Sequence, residues 1–131
     1  MTVADDTIAV VADRLFGAIE RGDRDAVAAL WSQDVVVWKV ADGSRGRDRA
    51  LRVIDWFIGA TTQRRYEILE RQLFDGGFVQ QHILHAGGTN GNAIAMRVCI
   101  VIKVDADGLI CSIDEYFDPA EIAPLLSTTG Q

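Results

Sequence analysis

The chemistry open to this chain centres on one acidic residue in an apolar row. In residues 93–104, Ile94, Met96, Val98, Ile100, Ile102 and Val104 alternate with a set that includes Arg97 and Lys103. That is a half-buried strand whose even positions face the core. In residues 109–117, Leu109, Cys111, Ile113, Glu115 and Phe117 share one face, and Ser112 and Asp114 the other. Asp105-Ala106-Asp107-Gly108 between them is a tight turn, so the two strands form a hairpin whose apolar faces coincide. The turn length pairs Val98 with Glu115, Ile100 with Ile113 and Met96 with Phe117. Glu115 then sits among aliphatic neighbours, where a carboxylate is costly unless it has a partner, a wet cavity or a use. A carboxylate in such surroundings suits proton transfer near neutral pH.

Such a base needs a donor that steadies the oxygen on which charge collects. His82 and His85 are three apart on the strand 78–86, so they face opposite sides, and at most one shares the face of Glu115. The turn 87–92 leaves two registers open. Either His85, Ile83 and Gln81 lie on that face, or Leu84, His82 and Gln80 do. Lys39 interrupts the apolar strand 35–40. It either snorkels to solvent or supplies a cation to Glu115 or to an anionic substrate oxygen. The candidate catalytic residues are therefore Glu115, His82, His85 and Lys39. Phe16, Trp38, Trp56, Gln80, Gln81, Val98, Ile100 and Phe117 are the expected ligand-binding residues.

Other chemistries lack their residues. Two histidines on opposite faces cannot share a zinc ion, so no metal is expected. There is no Gly-rich phosphate loop, nucleophile elbow or HExxH, so no cofactor is expected. Cys99 and Cys111 fall on opposite faces and out of register, Cys111 on the buried one, which excludes a disulfide between them. Arg45, Arg47, Arg49 and Arg52 cluster at the start of the third helix, either as solvated surface or as an anion site.

The elements that would position these residues follow from periodicity. Ile8, Val11, Ala12, Leu15, Phe16 and Ile19 mark one face of a first helix, closed by Gly22. Asp23 caps a short helix over 24–31. A strand over 35–40, a loop over 41–46 and a third helix with Leu51, Ile54, Phe57 and Ile58 follow. Strands 66–74, 78–86, 93–104 and 109–117, joined by tight turns, form an antiparallel meander, and 120–126 makes a last helical turn. This is an α+β chain of 131 residues, one domain over 1–131. Thirteen basic against nineteen acidic residues, a formal charge of −6, argue against nucleic acid as a partner. No apolar run approaches the roughly 20 residues of a membrane span. The segment 1–12 carries Asp5 and Asp6 and no basic residue, unlike a signal peptide, so a cytoplasmic location is expected.

This order of elements, with Gly22-Asp23 after the first helix and Glu115-Tyr116-Phe117-Asp118-Pro119-Ala120 near the end, resembles the NTF2-like superfamily. Within it the chain is most similar to the SnoaL-like polyketide cyclase group, over nearly its whole length. The resemblance implies a cone of curved antiparallel sheet with about three N-terminal helices packed on its concave face. It implies acid–base chemistry of the cyclase, isomerase or dehydratase type, without cofactor, on a small apolar or polycyclic carbonyl substrate. It equally admits a non-catalytic small-molecule-binding or dimerisation module, because one fold hosts many functions.

The acid/base aspartate of SnoaL-type cyclases, and one aspartate of limonene epoxide hydrolases, falls near Glu115. The Arg and second Asp of those hydrolases are absent from 80–85, which reads Gln-Gln-His-Ile-Leu-His, whereas the cyclases use Gln and His there. The ketosteroid isomerase pattern fails. Its oxyanion tyrosine falls at Leu15, its base at Lys39 and its protonated aspartate at Ile100. The Trp-His-Asn that many relatives carry in the first strand reads Trp38-Lys39-Val40 here. A Glu115 that is exposed or ion-paired with Lys39, beside a pocket filled by Trp38, Trp56 and Phe16, would favour the binding module. The resemblance also implies a homodimer, for which the outer sheet face offers Cys99, Val101, Ile110 and Tyr116, rimmed by Arg97, Lys103 and Asp114.

Overall fold

Helix α1 (Asp5–Arg21) forms where the first apolar stripe recurs, and Ile8, Val11, Ala12, Leu15, Phe16 and Ile19 are all buried. Gly22 ends it at φ 71°, the left-handed conformation that lets the Gly22 and Asp23 N–H groups close on the Ile19 and Ala18 carbonyls. The Asp23 carboxylate then accepts from Ala26 N–H and starts α2 (Arg24–Leu30). Helix α3 (Arg47–Ala60) buries Ala50, Leu51 and Phe57. Arg64 donates to Ile19 O at 2.8 Å and to Ile58 O at 3.4 Å, so one guanidinium serves the C-terminal carbonyls of both long helices. The computed structural model describes residues 3–127; the ends of the expected 1–131 domain lie outside the described residues.

The strands are β1 (Trp31–Lys39), β2 (Gly43–Arg45), β3 (Thr61–Phe74), β4 (Gly77–Gly88), β5 (Ala93–Val104) and β6 (Ile110–Phe117). A short 3₁₀ turn, Pro119–Glu121, and α4 (Ala123–Leu126) follow. The sheet order is β2-β1-β6-β5-β4-β3. All neighbours are antiparallel except β1 and β6, which run parallel. The expected antiparallel sheet is thus corrected to a mixed one. Turn residues reveal hairpins, but the β1–β6 pairing joins segments about 75 residues apart with no local mark. The expected loop over 41–46 contains the short strand β2, folded back on β1 through Ala41 at φ 72° and Gly43 at φ 75°.

The β5–β6 hairpin keeps the expected face but shifts by two residues. Ile100 lies opposite Glu115, Val98 opposite Phe117 and Ile102 opposite Ile113. The turn, closed by Asp105 N–H on Leu109 O, supplies one of the two, and a bulge beside it supplies the other. Lys103 pairs with Ser112 and Val104 with Ile110, which leaves Cys111 as the extra residue. The bulge inverts the alternation there. Ile110 is fully buried, not part of the outer face, and Cys111 leaves the core face, its Sγ 3.5 Å from Lys103 O. Both cysteines are free. In β4, His82 lies opposite Val98 and Gln80 opposite Ile100, so the even set faces inward.

The bulge makes a stability prediction. Ile110→Ala should lower the unfolding free energy by about 2–5 kcal/mol, and Cys111→Ala by less than about 1 kcal/mol. Urea denaturation of the two variants measures both, and the reverse order would contradict the bulge.

Candidate functional site

Helices α1 and α3 do not fill the space over the inward sheet face. A cavity of about 90 Å³ remains, walled mainly by apolar side chains such as Leu15 and Phe16 from α1 and Ile54 and Phe57 from α3. Four strands each contribute one polar group to it: Lys39 from β1, Tyr66 from β3, His82 from β4 and Glu115 from β6.

The parallel register sets Lys39 directly beside Glu115. Lys39 Nζ lies 3.0 Å from Glu115 Oε1, and each side chain is only 18% exposed. Of the alternatives open to this carboxylate, a partner is the one observed, and Lys39 offsets the cost of taking either charge out of water. Glu115 Oε2 has no hydrogen-bond partner among the described residues.

His82 is 1% exposed and lies edge-on to Phe16 and Tyr66, with ring centroids 5.4 and 4.9 Å away. Its Nδ1 is 2.8 Å from Gln80 Nε2, and Gln80 Oε1 is 2.8 Å from Arg71 Nε. Arg71 Nη1 pairs with Asp13 at 2.8 Å. This chain of contacts fixes the imidazole's proton. The guanidinium can only donate, so the Gln80 carbonyl faces it, and the Gln80 amide must donate to Nδ1. The proton therefore sits on Nε2, the nitrogen left for the cavity. Burial lowers the imidazole pKa to about 4, Arg71 adds to the shift and Glu115 opposes it. His82 is thus a neutral donor near pH 7.

The Tyr66 hydroxyl is a second donor. Burial first, then Glu115 and Glu20, push the phenol well above its ordinary value, against a smaller opposing effect of Arg64. It keeps its proton throughout the physiological range. The Tyr66 backbone N–H donates to Glu20 Oε2 at 2.8 Å, which holds this stretch of β3 against α1.

Of the residues expected from sequence, Glu115, Lys39, His82, Phe16, Trp56 and Ile100 meet at the cavity, and Gln80 stands behind His82. The others lie elsewhere. His85 is on the opposite sheet face, 2.8 Å from Glu67, because odd positions of β4 point outward. Gln81 points the same way and accepts from Arg97 at 3.0 Å. Trp38 alternates with Val37 and Lys39, so it faces outward and packs on Tyr116 at 5.0 Å between ring centroids. Val98 is buried in the core and Phe117 partly buried against it, neither lining the cavity.

Tyr66, Arg71 and Asp13 were not anticipated. The register of β3 shifts between Ile68 and Glu70, and only beyond that bulge do odd residues share the inward face, Arg71 opposite Gln80. Period-two reading carried through Leu69 would have put Arg71 on the wrong side. Among the described residues no group of three or more His, Cys, Asp or Glu could hold a metal ion. No described helix is long and apolar enough to cross a membrane. The cavity is also smaller than the about 150 Å³ that holds a single benzene ring. A polycyclic substrate would extend beyond this volume.

Comparison with known proteins agrees with the architecture. Residues 12–113 match the family model described as a SnoaL-like domain. No curated protein matches the chain. Among solved structures, a LEH-like epoxide hydrolase of M. tuberculosis superposes with a TM-score of 0.74 at 22% identity, over 92% of this chain and 90% of that one. The Delta 5-3-ketosteroid isomerase of Mycobacterium sp. gives 0.78 at 21% identity, over 88% and 95%. An NTF2-like protein of unknown function from Burkholderia pseudomallei gives 0.78 at 18% identity, over 92% and 98%. At these identities the likeness is one of fold.

The neutral imidazole has a thermodynamic consequence. Between pH 6.5 and about 4 the unfolded chain binds a proton at His82 that the folded chain refuses. The contribution of His82 to stability is therefore complete above pH 6.5, falls as the pH drops through this window and levels off below it. It amounts to on the order of 3 kcal/mol. Urea denaturation from pH 4 to 7 should show a shallower pH slope for His82→Gln than for wild type. Equal slopes would mean that the imidazole ionises normally.

Proposed function

Because the chain belongs to the SnoaL-like domain family, of the NTF2-like superfamily, we propose that it is a cofactor-independent acid–base enzyme acting on a small, largely apolar carbonyl compound. The observation that carries this reading is the convergence of a carboxylate and two protonated donors in one otherwise apolar cavity. Glu115 takes a proton from the carbon next to the carbonyl through Oε2, while Oε1 stays on Lys39. The electron pair of the broken C–H bond moves onto the carbonyl oxygen. His82 Nε2–H and the Tyr66 O–H donate to that oxygen as it becomes an enolate. Return of the proton to a different carbon gives isomerisation. Attack of the enolate carbon on a second carbonyl of the same molecule gives cyclisation, the new alkoxide taking the proton back from Glu115, and loss of a β-hydroxyl with that proton as water gives dehydration. The apolar walls raise the strength of each hydrogen bond by excluding solvent.

One observation favours the other reading, a binding module without catalysis. The ion pair with Lys39 at 3.0 Å satisfies the carboxylate, and a satisfied carboxylate needs no reaction to account for it. The rest of that picture is met in part, since Phe16 and Trp56 line the cavity while Trp38 faces away from it.

Hydrogen exchange separates the two. Cyclopentanone and smaller enolisable ketones are incubated with the protein in deuterium oxide, and loss of the α-proton signal is followed by NMR. Wild type should accelerate exchange, and Glu115→Gln should lose about 100-fold or more of that rate, the usual share of a positioned base. Binding of the ketones with no acceleration of exchange would select the module.

A further inference from the structure

The arginines at the start of α3 have uneven duties. Arg47 Nη2 donates to Ala28 O at 2.8 Å and ties α3 to α2. Arg45 pairs with Asp42 at 3.4 Å, but its Nε is buried without a partner. Arg49 and Arg52 are exposed and have no ion pair or hydrogen bond among the described residues. Arg45, Arg49 and Arg52 line a single cleft of about 330 Å³, together with Val53 and Trp56. Val53 and Trp56 also line the inner cavity, so the cleft and the cavity meet at these two side chains.

The helix period puts these residues on one face. Arg49, Arg52, Val53 and Trp56 stand at i, i+3, i+4 and i+7 on α3, a single stripe that runs from guanidinium groups to two side chains that also wall the cavity. Seven residues of α-helix put Arg49 about 10 Å from Trp56 along the axis. The chain's formal charge is −6, yet the cleft is walled by three cations and edged by one carboxylate, Asp42. Guanidinium forks fit carboxylate and phosphate oxygens.

We propose that this cleft holds the anionic tail, a phosphate or a carboxylate, of a ligand whose apolar end enters the cavity. The proposal rests on the cavity being a ligand site and is independent of which reaction occurs there. It gives the small cavity a clear purpose. The cavity takes only the reacting end of the ligand, and the outer stripe of α3 supplies recognition of the remainder. An octyl chain is long enough to join the two.

Calorimetric titration at low salt tests this with 1-octanol, octyl phosphate and nonanoate, against wild type and the Arg49→Gln/Arg52→Gln double variant. At least one anionic probe should bind wild type about tenfold tighter than octanol, the size expected of two solvent-facing charge pairs. That gain should shrink with added salt and vanish in the double variant, whose octanol affinity stays unchanged. The anion with the larger gain identifies the tail. Equal affinity for all three probes would overturn the subsite and leave the cavity as a ligand site. A gain that survives undiminished in the double variant would also overturn it and move the anion to another cation, Arg45 or Lys39. If none of the probes binds, the subsite and the ligand cavity fall together.

Discussion

The parallel contact between β1 and β6 is the constraint on which the rest of the molecule depends. It joins the first strand to the last and so makes one sheet from an N-terminal helical segment and a C-terminal meander. It also fixes the ion pair in the cavity, because Lys39 and Glu115 are register partners in that ladder. Neither charge would be well placed alone. A lone carboxylate or ammonium on the inward face would cost several kcal/mol, and together they need little further support from the protein. A shift of one residue in this pairing would turn Lys39 to the outer face and leave Glu115 facing apolar walls. The strand order and the polar centre are therefore one solution to two problems.

The second polar group is built by a different device. His82 is compensated not by an opposite charge but by being kept neutral, and a row of donors and acceptors from Asp13 through Arg71 and Gln80 dictates where its proton lies. The row works because its charged members have no choice of role. An arginine cannot accept, so the amide of Gln80 is forced, and the amide forces the imidazole. The cavity thus contains an anion that is balanced by a cation and a donor that carries no charge.

The sequence revealed what is local and missed what is not. Alternation in 93–104 and 109–117 was enough to place Glu115 on the inward face, and parity was enough to show that His82 and His85 could not both be there. The register was not legible, because a bulged residue at Cys111 adds one position to a hairpin whose turn looks ordinary. The bulge at Leu69 hid Arg71 in the same way. Lys39 could be named as a cation in an apolar strand, but its partnership with Glu115 depends on the long-range parallel ladder, which has no signature of its own. Tyr66 was read only as the opening residue of a strand. Its place in the cavity follows from the packing of β3 against α1, where Glu20 holds the Tyr66 N–H.

The positions at which the ketosteroid isomerase pattern falls in this chain sharpen what the fold does and does not decide. Leu15, Lys39 and Ile100 all line the cavity, so the scaffold delivers those positions to the same place, but their side chains are an aliphatic, a cation and an aliphatic. The polar inventory has moved to Glu115, His82 and Tyr66 on other strands. Polar groups can be exchanged between strands in this way because alternate residues of neighbouring strands face the same cavity. What cannot move so freely is the supporting layer. His82 needs Gln80 two residues away on its own strand, and Gln80 needs an arginine on the adjacent one. Glu115 needs a cation directly across the parallel ladder. The arrangement of these groups is therefore set by their neighbours, Lys39 across the ladder from Glu115, and Gln80 and Arg71 behind His82.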